Sequence, residues 1–203
     1  MTGVQTCALP IWGRLLSLVP QWDHIPFEYS VLEYVLLGRA PYIGRLELPG
    51  AADIDVARAA IADAGLAGRE SDGVLETSAG ERELILLARS LAQDPAFLLM
   101  DEPSAHLDLA NKRRLAGLIR REAERGRGVL LTAHEPEFAA AVADRIILLR
   151  DGAILAQGDP DAVMTAERLS ATYDAAFDRK LITFDEDYRL VLSRTIREHV
   201  PSE

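Results

Sequence analysis

Four uncharged residues, Phe97–Met100, run straight into two acids, Asp101-Glu102, and then Pro103. The run does not alternate with polar residues, so it predicts a strand buried on both faces of a sheet. Such a strand delivers its acids to the rim of the core. Taken alone, they also fit an ordinary exit of a strand into solvent.

The segments around it alternate between helix and strand patterns. Arg14–Val19 reads as a short strand. Ser30-Val31-Leu32-Glu33 is a capping box, with Val31, Leu32, Val35 and Leu36 at helical spacing and Gly38 as the stop. A second helix spans Asp53–Ala64 and closes at Gly65. Ser78–Glu81 is another capping box, opening a helix with Leu84, Ile85, Ala88 and Leu91 on one face. Leu107–Glu124 is a long helix, and Val129–Thr132 a second strand predicted to be doubly buried. Pro136 suits a first helical turn, so Glu135–Asp144 is a helix. Asp151-Gly152 joins two apolar runs as a hairpin turn. In the tail, Lys180–Ser193 predicts two short strands around Asp185–Asp187. Helices between apolar strands imply an α/β layer with a largely parallel sheet.

Composition narrows the function. The 203 residues carry a formal net charge of -10, which disfavours a nucleic-acid surface. The one basic stretch, Asn111–Arg127, reads as a solvated helix face. A single cysteine, Cys7, rules out an internal disulfide framework. No run approaches the length of a membrane span. Met1–Ile11 fits nothing that follows and resembles translated adapter sequence, so residues 1–12 are set apart as foreign.

The acids keep informative company. Leu107-Asp108 follows them, Ser78-Ala79-Gly80-Glu81 lies about twenty residues upstream, and a second apolar strand ends at His134. Together these residues resemble the nucleotide-binding subunit of an ABC transporter, over roughly residues 13–160. Gln21 matches the Q-loop, Thr77–Glu81 the signature motif and Phe97–Asp101 the Walker B strand. Glu102 matches the catalytic glutamate, Ala105–Asp108 the D-loop, and His134 the switch histidine.

The resemblance implies a P-loop NTPase-like (RecA-like) α/β fold with a helical signature subdomain over about 28–92. A C-terminal helix and short strands follow over 161–203. It also implies ATP and Mg2+. Asp101 would hold the metal against the phosphates and Glu102 would polarise the attacking water. Gln21 would bridge metal and water, and His134 would contact the γ-phosphate. Ser78, Ala79, Gly80 and Glu81 would present a helix N-terminus to ATP bound on a second subunit, with Asp108 across that seam. The implied partners are that second subunit in a head-to-tail dimer, membrane permease subunits and, indirectly, a substrate-binding protein. The place is the cytoplasmic face of the membrane, held peripherally.

Several positions depart from the family pattern. Thr77 replaces leucine, Ala79 glycine and Glu83 glutamine. The phosphate loop G-x-x-x-x-G-K-[ST] does not occur: the only lysines, Lys112 and Lys180, lie outside any such pattern. The expectation is a chain that starts late, lacks the N-terminal strands and P-loop, and does not hydrolyse ATP alone. Val19–Tyr42, above all Gly38-Arg39-Ala40-Pro41-Tyr42, resembles importer subunits for iron-siderophore, haem and cobalamin chelates. Two other readings stand beside this one: an ABC-type ATPase of DNA repair or chromosome maintenance, and a non-catalytic remnant.

Overall fold

The computed structural model describes residues 11–21, 23–44 and 46–174, and the backbone of 183–184 and 190–191. The chain divides into two units, Met1–His134 and Glu135–Glu203.

In the first unit, three parallel strands lie side by side: β1 (Leu16–Val19), β2 (Phe97–Met100) and β3 (Gly128–Leu131). Leu16 pairs with Phe97 and Phe97 with Gly128, so the strands start level and end level. Parallel strands need long crossovers, and the helices supply them. Between β1 and β2 run α1 (Val31–Leu36), a 3-10 helix (Leu37–Tyr42), α2 (Ala51–Asp63) and α3 (Ala79–Ala92). Between β2 and β3 runs α4 (Leu109–Glu124). Val31, Val35, Ile61, Leu84, Ile85 and Ala88 form the buried seam of the helices.

Local chemistry explains the boundaries. Ser30 and Ser78 both close complete capping boxes, as their spacing predicts. Gly50 caps α2 and Asp53 reaches back to its amide at 3.0 Å, so that helix begins at Ala51, not Asp53. Asp108 caps α4, which therefore starts at Leu109 rather than Leu107. The first apolar run is helical over 11–15 and becomes strand only at Leu16. Gly38 does not stop the chain's helical course, which continues as the 3-10 helix with Pro41 inside it.

The strands are not buried on both faces. Leu98 and Met100 are buried, but Leu18 is 53% exposed, Phe97 56% and Leu130 64%. Side chains alternate along a strand, and among the described residues nothing covers the second face. A continuous apolar run declares that both faces are fit for burial; what packs there decides the outcome.

In the second unit, α5 (Pro136–Val142) precedes an antiparallel hairpin of β4 (Ile146–Arg150) and β5 (Ala153–Gly158). Its turn is the expected Asp-Gly pair, with φ of 51° at Asp151 and 77° at Gly152. Ile146 and Leu148 pack with Val163 and Leu169 from α6 (Pro160–Val163) and α7 (Ala166–Tyr173). In the tail, β6 (Thr183–Phe184) pairs antiparallel with β7 (Leu190–Val191). The turn expected at 185–187, like residues 1–10, falls outside the described residues.

Candidate functional site

Level strand ends put the following residues at one place, the carboxyl edge of the sheet, where open α/β sheets hold ligands. β1 delivers Gln21, β2 delivers Asp101 and Glu102, and β3 delivers Thr132 and His134. The backbone locks them together. The Asp101 amide donates to the Val19 carbonyl at 2.9 Å, and the Thr132 amide to the Met100 carbonyl at 3.0 Å.

Glu102 is the hub. Gln21 donates its side-chain amide to Glu102 Oε2 at 3.0 Å. His134 Nε2 lies 2.6 Å from Glu102 Oε1. The glutamate backbone sits at φ 49°, in the left-handed region. A side chain there costs about 1 kcal/mol or more, and such strain concentrates at functional positions. Gln21 and Glu102, expected at the attacking water, and His134, expected at the γ-phosphate, thus meet at one carboxylate from the ends of three separate strands.

Asp101 joins this group through a residue that sequence reasoning missed. Thr132 donates its hydroxyl to Asp101 Oδ1 at 2.7 Å and accepts the Glu102 amide at 2.9 Å. One hydroxyl therefore ties the Asp101 carboxylate to the Glu102 backbone. A threonine ending an apolar strand gives no local sign of that task. Asp101 itself is exposed. An exposed carboxylate at a strand end, with a second one beside it, suits Mg2+, which keeps much of its water and shares phosphate oxygens. Among the described residues no group of three or more His, Cys, Asp or Glu could enclose a metal by itself. Two adjacent carboxylates thus stand at the open edge of the sheet, while the lysine and glycines of a G-x-x-x-x-G-K-[ST] loop do not occur in the sequence.

The cleft in front of these acids is lined by Gln21, Asp101, Glu102 and Pro103, and on its other side by Glu83 and Leu87 of α3. At the start of α3, Ser78 accepts the Glu81 amide at 3.3 Å, and Glu81 accepts the Ser78 amide at 2.9 Å. Arg69 adds an ion pair to Glu81 at 2.6 Å. The Ser78 amide, then Arg69, hold the Glu81 carboxyl far down, at about 2. Ala79 and Gly80 form the first turn. A Cβ added at Gly80 would meet Asn111 and Leu107 at ordinary contact distance, so the signature turn lies against the loop that carries Asp108.

Asp108 has a local duty as well: it caps α4 by accepting the Asn111 amide at 2.8 Å. Next to it, His106 Nδ1 is 3.0 Å from Glu83 Oε1. Burial pushes the Glu83 carboxyl up, and His106 opposes that only in part. Its Oε2 is buried with no hydrogen-bond partner. The departure from glutamine at this position thus places a carboxyl–imidazole contact between α3 and the 105–108 loop.

A third cluster was also missed. Arg89 donates to Asp23 Oδ2 at 2.8 Å and to the Tyr34 hydroxyl at 2.6 Å, and Tyr34 donates to Asp23. Tyr34 is 2% exposed. Burial, then Asp23, raises its hydroxyl above the ordinary range. The Gly38–Tyr42 stretch is explained by Arg39. It pairs with Asp53 at 3.0 Å, donates to the Ala92 carbonyl at 3.0 Å and stacks 3.9 Å over the Tyr42 ring.

This arrangement agrees with what the chain resembles. The family model described as "AAA domain, putative AbiEii toxin, Type IV TA system" matches residues 40–140. A "Probable iron chelatin transport ATP-binding protein" of Helicobacter pylori is 32% identical over 178 residues, covering 85% of this chain and 70% of that protein. "Hemin import ATP-binding protein HmuV" of Burkholderia pseudomallei is 40% identical over 174 residues, covering 81% and 64%. The chain so spans about two thirds of the length of these two relatives. Among solved structures, an inward-facing ABC transporter of the metal-chelate type superposes with a TM-score of 0.74 at 32% identity, covering 80% of this chain and 64% of that one. A dimeric bacterial ABC transporter cassette superposes at 0.68 and 24% identity, covering 77% and 67%, which supports the fold. The chain belongs to the ATP-binding proteins of ABC transporters.

Proposed function

We propose that the chain is the catalytic and signature-bearing part of the energy-coupling ATPase subunit of an importer for hemin or another iron chelate. Siderophores and cobalamin fall in the same class of cargo. The observation that carries this reading is the meeting of Gln21 and His134 on the two oxygens of Glu102, beside Asp101. Glu102 is the base that takes a proton from the attacking water, with Gln21 orienting that water. His134 sets the carboxylate and faces the γ-phosphate. Asp101 holds Mg2+, which supplies charge neutralisation at the phosphates when bound.

Residues 13–160 are the nucleotide-binding part, with 28–92 as its helical subdomain. The capped α3 N-terminus at Ser78–Glu81 receives the ATP of a second, head-to-tail subunit, and Asp108 meets that seam. The exposed side of the helical subdomain, with Leu46 and Leu48, and with Phe27 just before it, docks on the permease at the cytoplasmic membrane face. The hemin and iron-chelate relatives support the cargo class, and the resemblance of Val19–Tyr42 agrees with them. No helix of the described residues is long and apolar enough to cross a membrane. The -10 charge speaks against nucleic acid as the partner.

Without the phosphate loop pattern in its 203 residues, the chain as it stands does not turn over ATP. The test joins a segment bearing a G-x-x-x-x-G-K-[ST] loop to the N-terminal side of Gly13. The joined protein is expected to hydrolyse MgATP, and Glu102→Gln to slow it by about a hundredfold or more. Equal rates with Glu102→Gln would remove Glu102 as the base. A joined protein that binds no MgATP would sink the ATPase reading.

A further inference from the structure

Gln21 is a loop residue, and a loop residue reaches a partner reliably only if its anchors are fixed. Both anchors are visible. Two residues before it, Val19 ends β1 and accepts the Asp101 amide. Two residues after it, Asp23 is gripped by Arg89 and Tyr34. Two residues span about 7 Å at most, so Gln21 moves only within a short tether on either side.

The second anchor belongs to α3. Arg89 lies on that helix beside Ser90, whose hydroxyl reaches the Leu18 carbonyl at 3.4 Å. Gln93, just past the helix, donates to the Leu16 carbonyl at 2.7 Å and accepts from Ser17 at 3.0 Å. The last turns of α3 are therefore bound both to β1 and to the loop that β1 delivers. The first turn of the same helix is the Ser78 capping box. One unbroken 14-residue helix thus runs from the Ser78 cap to the turns that grip Asp23.

We propose that Arg89 is a positioning residue: by clamping Asp23 against Tyr34 it fixes the loop that sets the Gln21 amide on Glu102, and so links the signature helix to the candidate base. This rests on the catalytic reading of Gln21 and Glu102, but its test needs no nucleotide. The polar grip is specific in kind. Arg89 binds both partners through the same nitrogen, Nη1, with its guanidinium 4.9 Å from the Tyr34 ring, so removing the cation removes both bonds at once.

The experiment follows the side-chain amide of Gln21 by NMR in the 15N-labelled full chain. Solvent exchange of those two protons reports whether they remain on Glu102. In Arg89→Met and in Asp23→Ala, exchange is expected to rise about fivefold, the loss of one net hydrogen bond. The backbone amides of Leu98 and Leu118, in the core, are expected to keep their protection. Unchanged Gln21 exchange with the core amides protected overturns the proposal. If either variant loses core protection, Tyr34→Phe, which deletes one oxygen, is read by the same criterion. Either negative result leaves the ATPase reading untouched, because that reading stands or falls on MgATP hydrolysis by the joined protein.

Discussion

Gly38 lies directly beneath the backbone of Arg89: a Cβ at Gly38 would stand 2.2 Å from the Arg89 carbonyl oxygen. The sequence places this glycine at a helix stop, yet its role is to let two helical segments touch. Gly38→Ala forces that contact apart. The expected loss is about 2–3 kcal/mol in urea unfolding at pH 7, the usual cost of overpacking. An unchanged midpoint would mean that the 3-10 helix slides away freely.

Glu81 carries a pH signature. Its carboxyl is held at about 2 in the folded chain, below its ordinary value near 4.5. A depressed value contributes stability above pH 4.5, and that contribution disappears as pH falls from there towards 2. Glu81→Gln keeps the capping geometry and loses the charge beside the helix N-terminus and Arg69. The variant should be weaker by roughly 0.5–1 kcal/mol at pH 7, with the gap closing below pH 4.5. A gap independent of pH would remove the charge from the explanation.

Glu122 is a carboxylate with 2% of its side chain exposed, held by Arg125 at 2.6 Å and Arg127 at 2.8 Å. Arg127→Met leaves that buried charge short of a partner. We expect a loss of about 3 kcal/mol. Adding Glu122→Leu should recover most of it, since an apolar pair of similar volume often replaces a buried ion pair at little cost. Additive losses in the double variant would show the two residues to be independent.

Glu102 offers a cleaner comparison of backbone strain. Glu102→Ala and Glu102→Gly both remove the contacts with Gln21 and His134. Only glycine relaxes at φ 49°. The glycine variant should be more stable than the alanine variant by about 1 kcal/mol in thermal unfolding. The reverse order would place the strain elsewhere.

What was legible in the chain follows from the range of the interaction. Ser30 with Glu33, Ser78 with Glu81, and Asp151 with Gly152 act within three residues, and each is found where its spacing placed it. Gln21, Asp101, Glu102 and His134 were grouped through a family resemblance, and level parallel strands bring them together. Thr132 is different. Its bonds to Asp101 and Glu102 cross about thirty residues, and nothing local marks a strand-end threonine for them. Arg89 and Asp23 are 66 residues apart, so neither announces the other. Burial was misjudged at Phe97 because apolar character reports what a side chain tolerates, while exposure depends on what is packed over it.

In dilute buffer, Leu18, Phe97 and Leu130 turn an oily strip to water, beside an outer backbone edge of β3 that no described strand pairs. Two copies meeting along that edge would gain hydrogen bonds and hide their strips in one step. The same parallel strands that gather the acids therefore carry a route to precipitation, and preparations should cloud with rising concentration well before they cloud with heat.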